Sequence, residues 1–217
     1  MDERGGLPLA ERIDPGTTVV LVVDVQNDFC HADGALARLG ADTTAIQEMV
    51  PRLMLLVDAA RGAGATIVWL QLLNTEYTTS EVAHEQRRRT RPGTEMICQV
   101  GSWGGELYRV EPAPGEPLVA KHRYSGFVDT ELDLILRSRG IKTLVVTGVA
   151  TNVCVESTAR DAYMRDYYVV LVDDCTAAYS PAKHAATLEN IGDHFGLIAP
   201  FVDVVEAWRP AALEAGR

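Results

Sequence analysis

Short apolar runs recur along the chain, most of them closed by a polar residue or a glycine. They fall at residues 17–23 (TTVVLVV), 66–72 (TIVWLQL), 118–120, 143–147 (TLVVT), 168–172 (YVVLV) and 196–199. Runs that are continuously apolar and rich in β-branched residues predict strands covered on both faces. Stretches of helical spacing lie between them, at 43–61 before Gly62-Ala63-Gly64, at 130–139 before Gly140, from Val153 onward, and at 181–194 with Pro181 in the first turn. Asp129 and Thr130 suit the cap of the second of these. Pro51 inside the first is expected only at a break or in a first turn. Strands alternating with helices predict an α/β fold whose strands run parallel.

Three stretches resist this reading. Residues 1–16 are polar and irregular, predicting a segment that lies across the surface or reaches a neighbouring subunit. Residues 203–217 read as a tail. Residues 74–116 are rich in Gly, Pro and charge, and so long an irregular stretch is expected to be a lid, a binding loop or an oligomer contact. No internal repeat appears, and residues 1–217 read as a single domain.

Composition narrows the field. A hydrophobic share of 47% with 23% charged residues is ordinary for a globular chain. Thirty acidic residues against 20 basic ones give a net charge of -10, which argues against a nucleic-acid or anionic-membrane partner. The basic run at 87–91 reads as a solvated helix end or loop. Cys30, Cys98, Cys154 and Cys175 are scattered, with no CxxC pair, and so suit neither a zinc site nor a disulfide framework. With no apolar stretch of membrane-spanning length and no signal peptide at the start, a cytoplasmic protein with reduced thiols is expected.

Chemistry-bearing residues gather where strands end, which is where open α/β sheets bind ligands. Asp24 closes the first apolar run, Lys121 the third, and Cys154 lies where the turn after the fourth becomes a helix. A thiol at a helix N-terminus feels the positive end of the backbone dipole, so its pKa is expected to be lowered and its thiolate usable at neutral pH. Lys121 would favour that thiolate, Asp24 could take the thiol proton and return it to a leaving amine, and backbone N–H groups at the turn could hold an oxyanion. Each residue also has an ordinary reading: a turn aspartate, a solvated lysine, a packed cysteine.

The segments VVDVQNDF around Asp24, KHRYSGF at Lys121 and TGVATNVCVESTARDA around Cys154 decide between these readings. In this order and spacing the chain resembles the isochorismatase-like cysteine hydrolases over about residues 17–206. The resemblance implies a three-layer α/β/α fold with a six-stranded, mostly parallel sheet in the order 3-2-1-4-5-6. It implies Asp24 as general base and acid, Lys121 as electrostatic partner and Cys154 as nucleophile. It also implies a cis peptide between Val149 and Ala150 that aims the Ala150 N–H, beside that of Cys154, at the oxyanion. Dimers or tetramers of identical subunits are the usual assemblies of such proteins. In that strand order Lys121 ends an edge strand, so the loop after it must fold back to reach the cysteine.

Departures from the resemblance point to a substrate. Nicotinamidases of the superfamily carry an Asp-x-His metal motif after the second strand, but here that place reads WLQLLNTEY without histidine, so no metal and no other cofactor is expected. The five histidines read as surface or core residues. Isochorismatases proper lack the nucleophilic cysteine. RYSGF and NVCVES are closest to ureidoacrylate amidohydrolases, with N-carbamoylsarcosine, biuret and triuret hydrolases as near relatives. The expected substrate is therefore a small ureido compound, R–NH–CO–NH2. A biuret- or triuret-type hydrolase is the alternative, and an inactive member with a binding role a further one. Phe29, Gln71, Asn74, Tyr77 and Tyr124 are candidate substrate contacts, each equally open to a structural role. For a substrate that keeps a carboxylate, Arg123 and the arginines of 87–91 are the candidate cations.

Overall fold

The computed structural model describes residues 7–94 and 96–209. Strands β1 (Thr18–Val23), β2 (Thr66–Leu72), β3 (Leu118–Lys121), β4 (Thr143–Val149), β5 (Tyr168–Ala177) and β6 (Leu197–Ala199) form one sheet ordered β3-β2-β1-β4-β5-β6. Every neighbouring pair is parallel, as the apolar runs and the family resemblance predict. Strand order reverses between β1 and β4, so a crevice opens at their carboxyl ends. All six residues of β1 are buried: Val20 and Val22 enter one core, and Val19, Leu21 and Val23 the other.

Helices α1 (Thr44–Ala63), α2 (Glu81–Thr90), α3 (Leu132–Ser138), α4 (Glu156–Tyr163), α5 (Pro181–His194) and α6 (Phe201–Trp208) follow in chain order. Apolar stripes of α1 and α6 cover one face of the sheet, and those of α3, α4 and α5 the other. Thr130 caps the approach to α3, its hydroxyl accepting from the Leu132 N–H at 3.2 Å. Pro51 departs from expectation, because α1 runs through it unbroken. Its ring stands on the exposed side of the helix, where water can reach the carbonyl left without an N–H partner.

The two ends of the chain also differ from their prediction. Residues 201–208 are not a tail: Phe201, Val204, Val205 and Trp208 repeat at helical spacing and dock α6 on the core. Trp208 Nε1 donates to the Ile13 carbonyl at 2.8 Å, and Ile13 is fully buried. Residues 7–16 thus pack on their own chain. Residues 1–6 and 210–217, the remainder of those two stretches, lie outside the described residues.

Polar side chains hold the middle stretch more than periodicity does. Gln26, fully buried, donates through Nε2 to the carbonyls of Leu72 and Gly105, both at 2.8 Å, and accepts from the Leu72 N–H. Asp28 accepts from the N–H groups of Ala35 and Cys98 at 3.0 and 2.6 Å. At the far end Glu116 accepts from Arg61, Trp69 and the Ala113 N–H. Among the described residues no helix is long and apolar enough to cross a membrane.

Candidate active site

The switch point brings Asp24, Lys121 and Cys154 together. Asp24 leaves β1 with φ at 50°, in the left-handed region, while its N–H donates to the Leu70 carbonyl at 3.0 Å. That backbone costs of order 1–3 kcal/mol for a residue other than glycine. Next door, β4 passes so close that a Cβ on Gly148, itself at φ 100°, would come within 2.1 Å of the Val23 carbonyl oxygen. Only glycine permits this approach of the two strands.

Lys121 answers its own topological problem by length. It ends β3, two strands from Asp24 and so about 10 Å across the sheet, yet its Nζ lies 2.8 Å from Asp24 Oδ2. Both side chains are fully buried. Nζ also donates to the carbonyls of Arg123 and Tyr124, at 2.9 and 3.2 Å, so the loop after β3 wraps around its own lysine. That loop does fold back: the Gly126 N–H donates to Thr158 Oγ1 on α4 at 3.0 Å, and Thr158 Oγ1 donates to the Cys154 carbonyl at 2.7 Å.

Cys154 sits in a wide turn, Thr151–Val155, between β4 and α4. The peptide between Val149 and Ala150 is cis, as the resemblance implies. Cys154 is close enough to Asp24 and Lys121 to couple to both charges. The expected lowering of its pKa does not hold. Burial pushes the thiol up and the Asp24 anion pushes it further, against the pull of Lys121. Burial also raises Asp24, partly offset by Lys121. Desolvation would lower Lys121, but Asp24 and Cys154 outweigh it and leave it raised. The dipole argument fails because regular helix begins only at Glu156 and one buried cation must serve two acids.

A cavity of about 790 Å³ opens above the thiol. Phe29, Asn74, Tyr124 and Ala150 line it with Cys154. Gln71 and Tyr77 do not line it. Gln71 Nε2 is engaged with the Gly105 carbonyl at 2.8 Å, tying β2 to the middle stretch, and Tyr77 is 99% exposed. Several wall residues went unmarked in the sequence. Asn152 and Ser157 flank the cysteine within its motif, and Tyr179 follows β5 at the carboxyl end where chemistry collects. His122, beside Lys121, also lines the cavity, with Nδ1 2.6 Å from the Leu73 carbonyl. Among the described residues no group of three or more His, Cys, Asp or Glu is placed to hold a metal.

The six-stranded parallel sheet has the order that the isochorismatase-like resemblance implies. The chain belongs to that family: the isochorismatase domain matches residues 18–200. It is 37% identical over 214 residues to the ureidoacrylate amidohydrolase RutB of Methylobacterium radiotolerans, covering 90% of this chain and 83% of that protein. Among solved structures it resembles a cysteine hydrolase from Pseudomonas syringae pv. phaseolicola, with a TM-score of 0.80 and 28% identity over 91% of this chain and 94% of that one. It also resembles N-carbamoylsarcosine amidase from Thermoplasma acidophilum, with a TM-score of 0.70 and 27% identity over 85% of this chain and 96% of that one.

Proposed function

We propose that this protein is a cysteine amidohydrolase that cleaves a C–N bond of a small ureido compound through an acyl-enzyme, with Asp24, Lys121 and Cys154 as its catalytic residues. The observation that carries the reading is the 2.8 Å contact between fully buried Lys121 and Asp24, beside the thiol at the cavity floor. The names of the relatives, an amidohydrolase of ureidoacrylate and an amidase of N-carbamoylsarcosine, supply the ureido group.

With one cation between two acids, the site holds one anion at a time. In the resting site the anion is Asp24 and the thiol keeps its proton. When the ureido carbonyl reaches Sγ, the proton passes to Asp24 and sulfur bonds to the carbonyl carbon. The N–H groups of Ala150 and Cys154 take the resulting oxyanion. Asp24 then returns the proton to the departing nitrogen, the C–N bond breaks, and the amine leaves. Water attacks the remaining thioester while Asp24 takes its proton, and carbamate departs as sulfur recovers a hydrogen. A raised carboxylate is the better base for both transfers, since general catalysis favours a pKa near the working pH.

The test is turnover of 3-ureidoacrylate by wild type and by Cys154→Ser, with wild type quenched during turnover for intact mass. Release of carbamate by wild type alone, with a carbamoyl adduct mapped to Cys154, is the expected result. Full activity in Cys154→Ser would end the account.

A further inference from the structure

The cavity wall carries charge of one sign. Arg87, Arg91 and Arg123 line it, and among the described residues no aspartate or glutamate does, in a chain whose net charge is -10. The basic run at 87–91, read from sequence as a solvated helix end, does lie at the end of α2, but it divides between two faces. Arg88 and Arg89 are exposed and pair with Glu81 and Glu85 on the outer side. Arg87 and Arg91, one helical turn apart, are partly buried and turn to the cavity.

The three wall arginines are not equivalent. Arg123 is exposed, and its Nη1 donates to the carbonyls of Thr78 and His122, at 2.9 and 2.8 Å, which ties one arm of its fork between two loops. Arg87 donates to His84 Nδ1 at 3.2 Å, which leaves most of its donor fork available. Arg91 shares the cavity wall with Tyr179, whose hydroxyl donates to the Phe29 carbonyl at 3.0 Å. Two planar guanidinium groups on the wall of a cavity that also holds a nucleophile are suited to a carboxylate elsewhere on the molecule being cut.

We infer that Arg87 and Arg91 form a carboxylate subsite that selects an anionic ureido acid over a neutral urea derivative. The inference rests on the amidohydrolase reading above and adds to it the residues that choose the substrate. With the carboxylate held by α2 and the ureido carbonyl over Cys154, the two ends of the substrate fix its orientation. A biuret-like compound would leave both guanidinium groups without a counter-charge and is the poorer substrate.

The test compares 3-ureidoacrylate with its uncharged primary amide, read by carbamate release from full-length wild type, Arg87→Gln/Arg91→Gln and Arg88→Gln/Arg89→Gln. Wild type is expected to prefer the acid. The inner pair of substitutions should cut that preference by about 10- to 100-fold, the scale of one or two charge-assisted hydrogen bonds, through KM more than kcat. The outer pair should keep it. Arg87→Lys/Arg91→Lys, which restores charge without the planar fork, should recover part of it. An inner variant that keeps the wild-type preference overturns the subsite and leaves the amidohydrolase reading standing. So does an equal loss in the outer variant, which would report bulk charge alone. Failure of wild type to turn over either compound removes the amidohydrolase reading and the subsite with it.

Discussion

Asp24 and Glu116 are both carboxylates taken largely out of water, and each faces a basic side chain. Glu116 is saturated: Arg61 donates to both of its oxygens, at 2.8 and 2.9 Å, Trp69 Nε1 donates at 2.7 Å and the Ala113 N–H at 2.9 Å. Burial alone would raise its pKa, yet these donors outweigh it and hold the carboxyl below its usual value. Asp24 has the 2.8 Å ion pair with Lys121 and further help from Cys154 and the Leu72 backbone, but it is fully buried, and burial outweighs these partners and raises its pKa. Where donors outweigh burial the carboxylate is a fixed joint; where burial outweighs donors it has something to gain from a proton. Glu116 ties the middle stretch to α1 and β2, and Asp24 is the proton carrier of the proposed function.

The largest effect should come from removing the proton carrier. Asp24→Asn is expected to lower kcat/KM for a ureido substrate by about 10²- to 10⁴-fold, the usual range for a general base. Steady-state kinetics checks this, and a drop smaller than about tenfold would place the proton elsewhere. Glu116→Gln should do the reverse. It should cost about 1–3 kcal/mol of stability by removing a charged acceptor with several donors, measured by urea unfolding, with kcat/KM unchanged.

The pH dependence of the two should have opposite signs. Glu116 is lowered in the fold, so its contribution to stability is present above the ordinary glutamate value and is lost as pH falls through its folded value. Asp24 is raised, so its contribution is present below the ordinary aspartate value and is lost as pH rises through its folded value. Unfolding of Glu116→Gln between neutral pH and pH 3 should therefore show a shallower acid loss than wild type, and an equal loss would contradict the assignment. Trp69→Phe, which deletes one donor to Glu116 and leaves a small cavity in the core, should cost a comparable amount, about 1–3 kcal/mol, with activity untouched.

The same contrast explains what could be read from the sequence. Strands β1, β2, β4 and β5 were visible because a run such as TVVLVV states its burial residue by residue. The three reactive side chains were visible because each follows such a run. Residues 74–116 were opaque, since Gln26, Asp28 and Glu116 hold them through partners far apart in the chain, and no local spacing encodes such contacts. Gln71 and Tyr77 were misplaced for that reason: which way a side chain near a strand end turns depends on the loop packed over it. The shift of the thiol escaped too. A helix terminus can be read locally, but burial and a neighbouring carboxylate from another strand cannot.

The central claim is that the site carries one anion at a time, held by Asp24 until substrate arrives. The most direct measurement is the pH dependence of Cys154 alkylation by iodoacetamide in wild type and in Asp24→Asn. In wild type the thiol should react slowly at neutral pH. In Asp24→Asn, where Lys121 has no other anion to serve, it should ionise at lower pH and react faster, although turnover is lost. A wild-type cysteine already ionised at neutral pH, and unmoved by the substitution, would contradict the account.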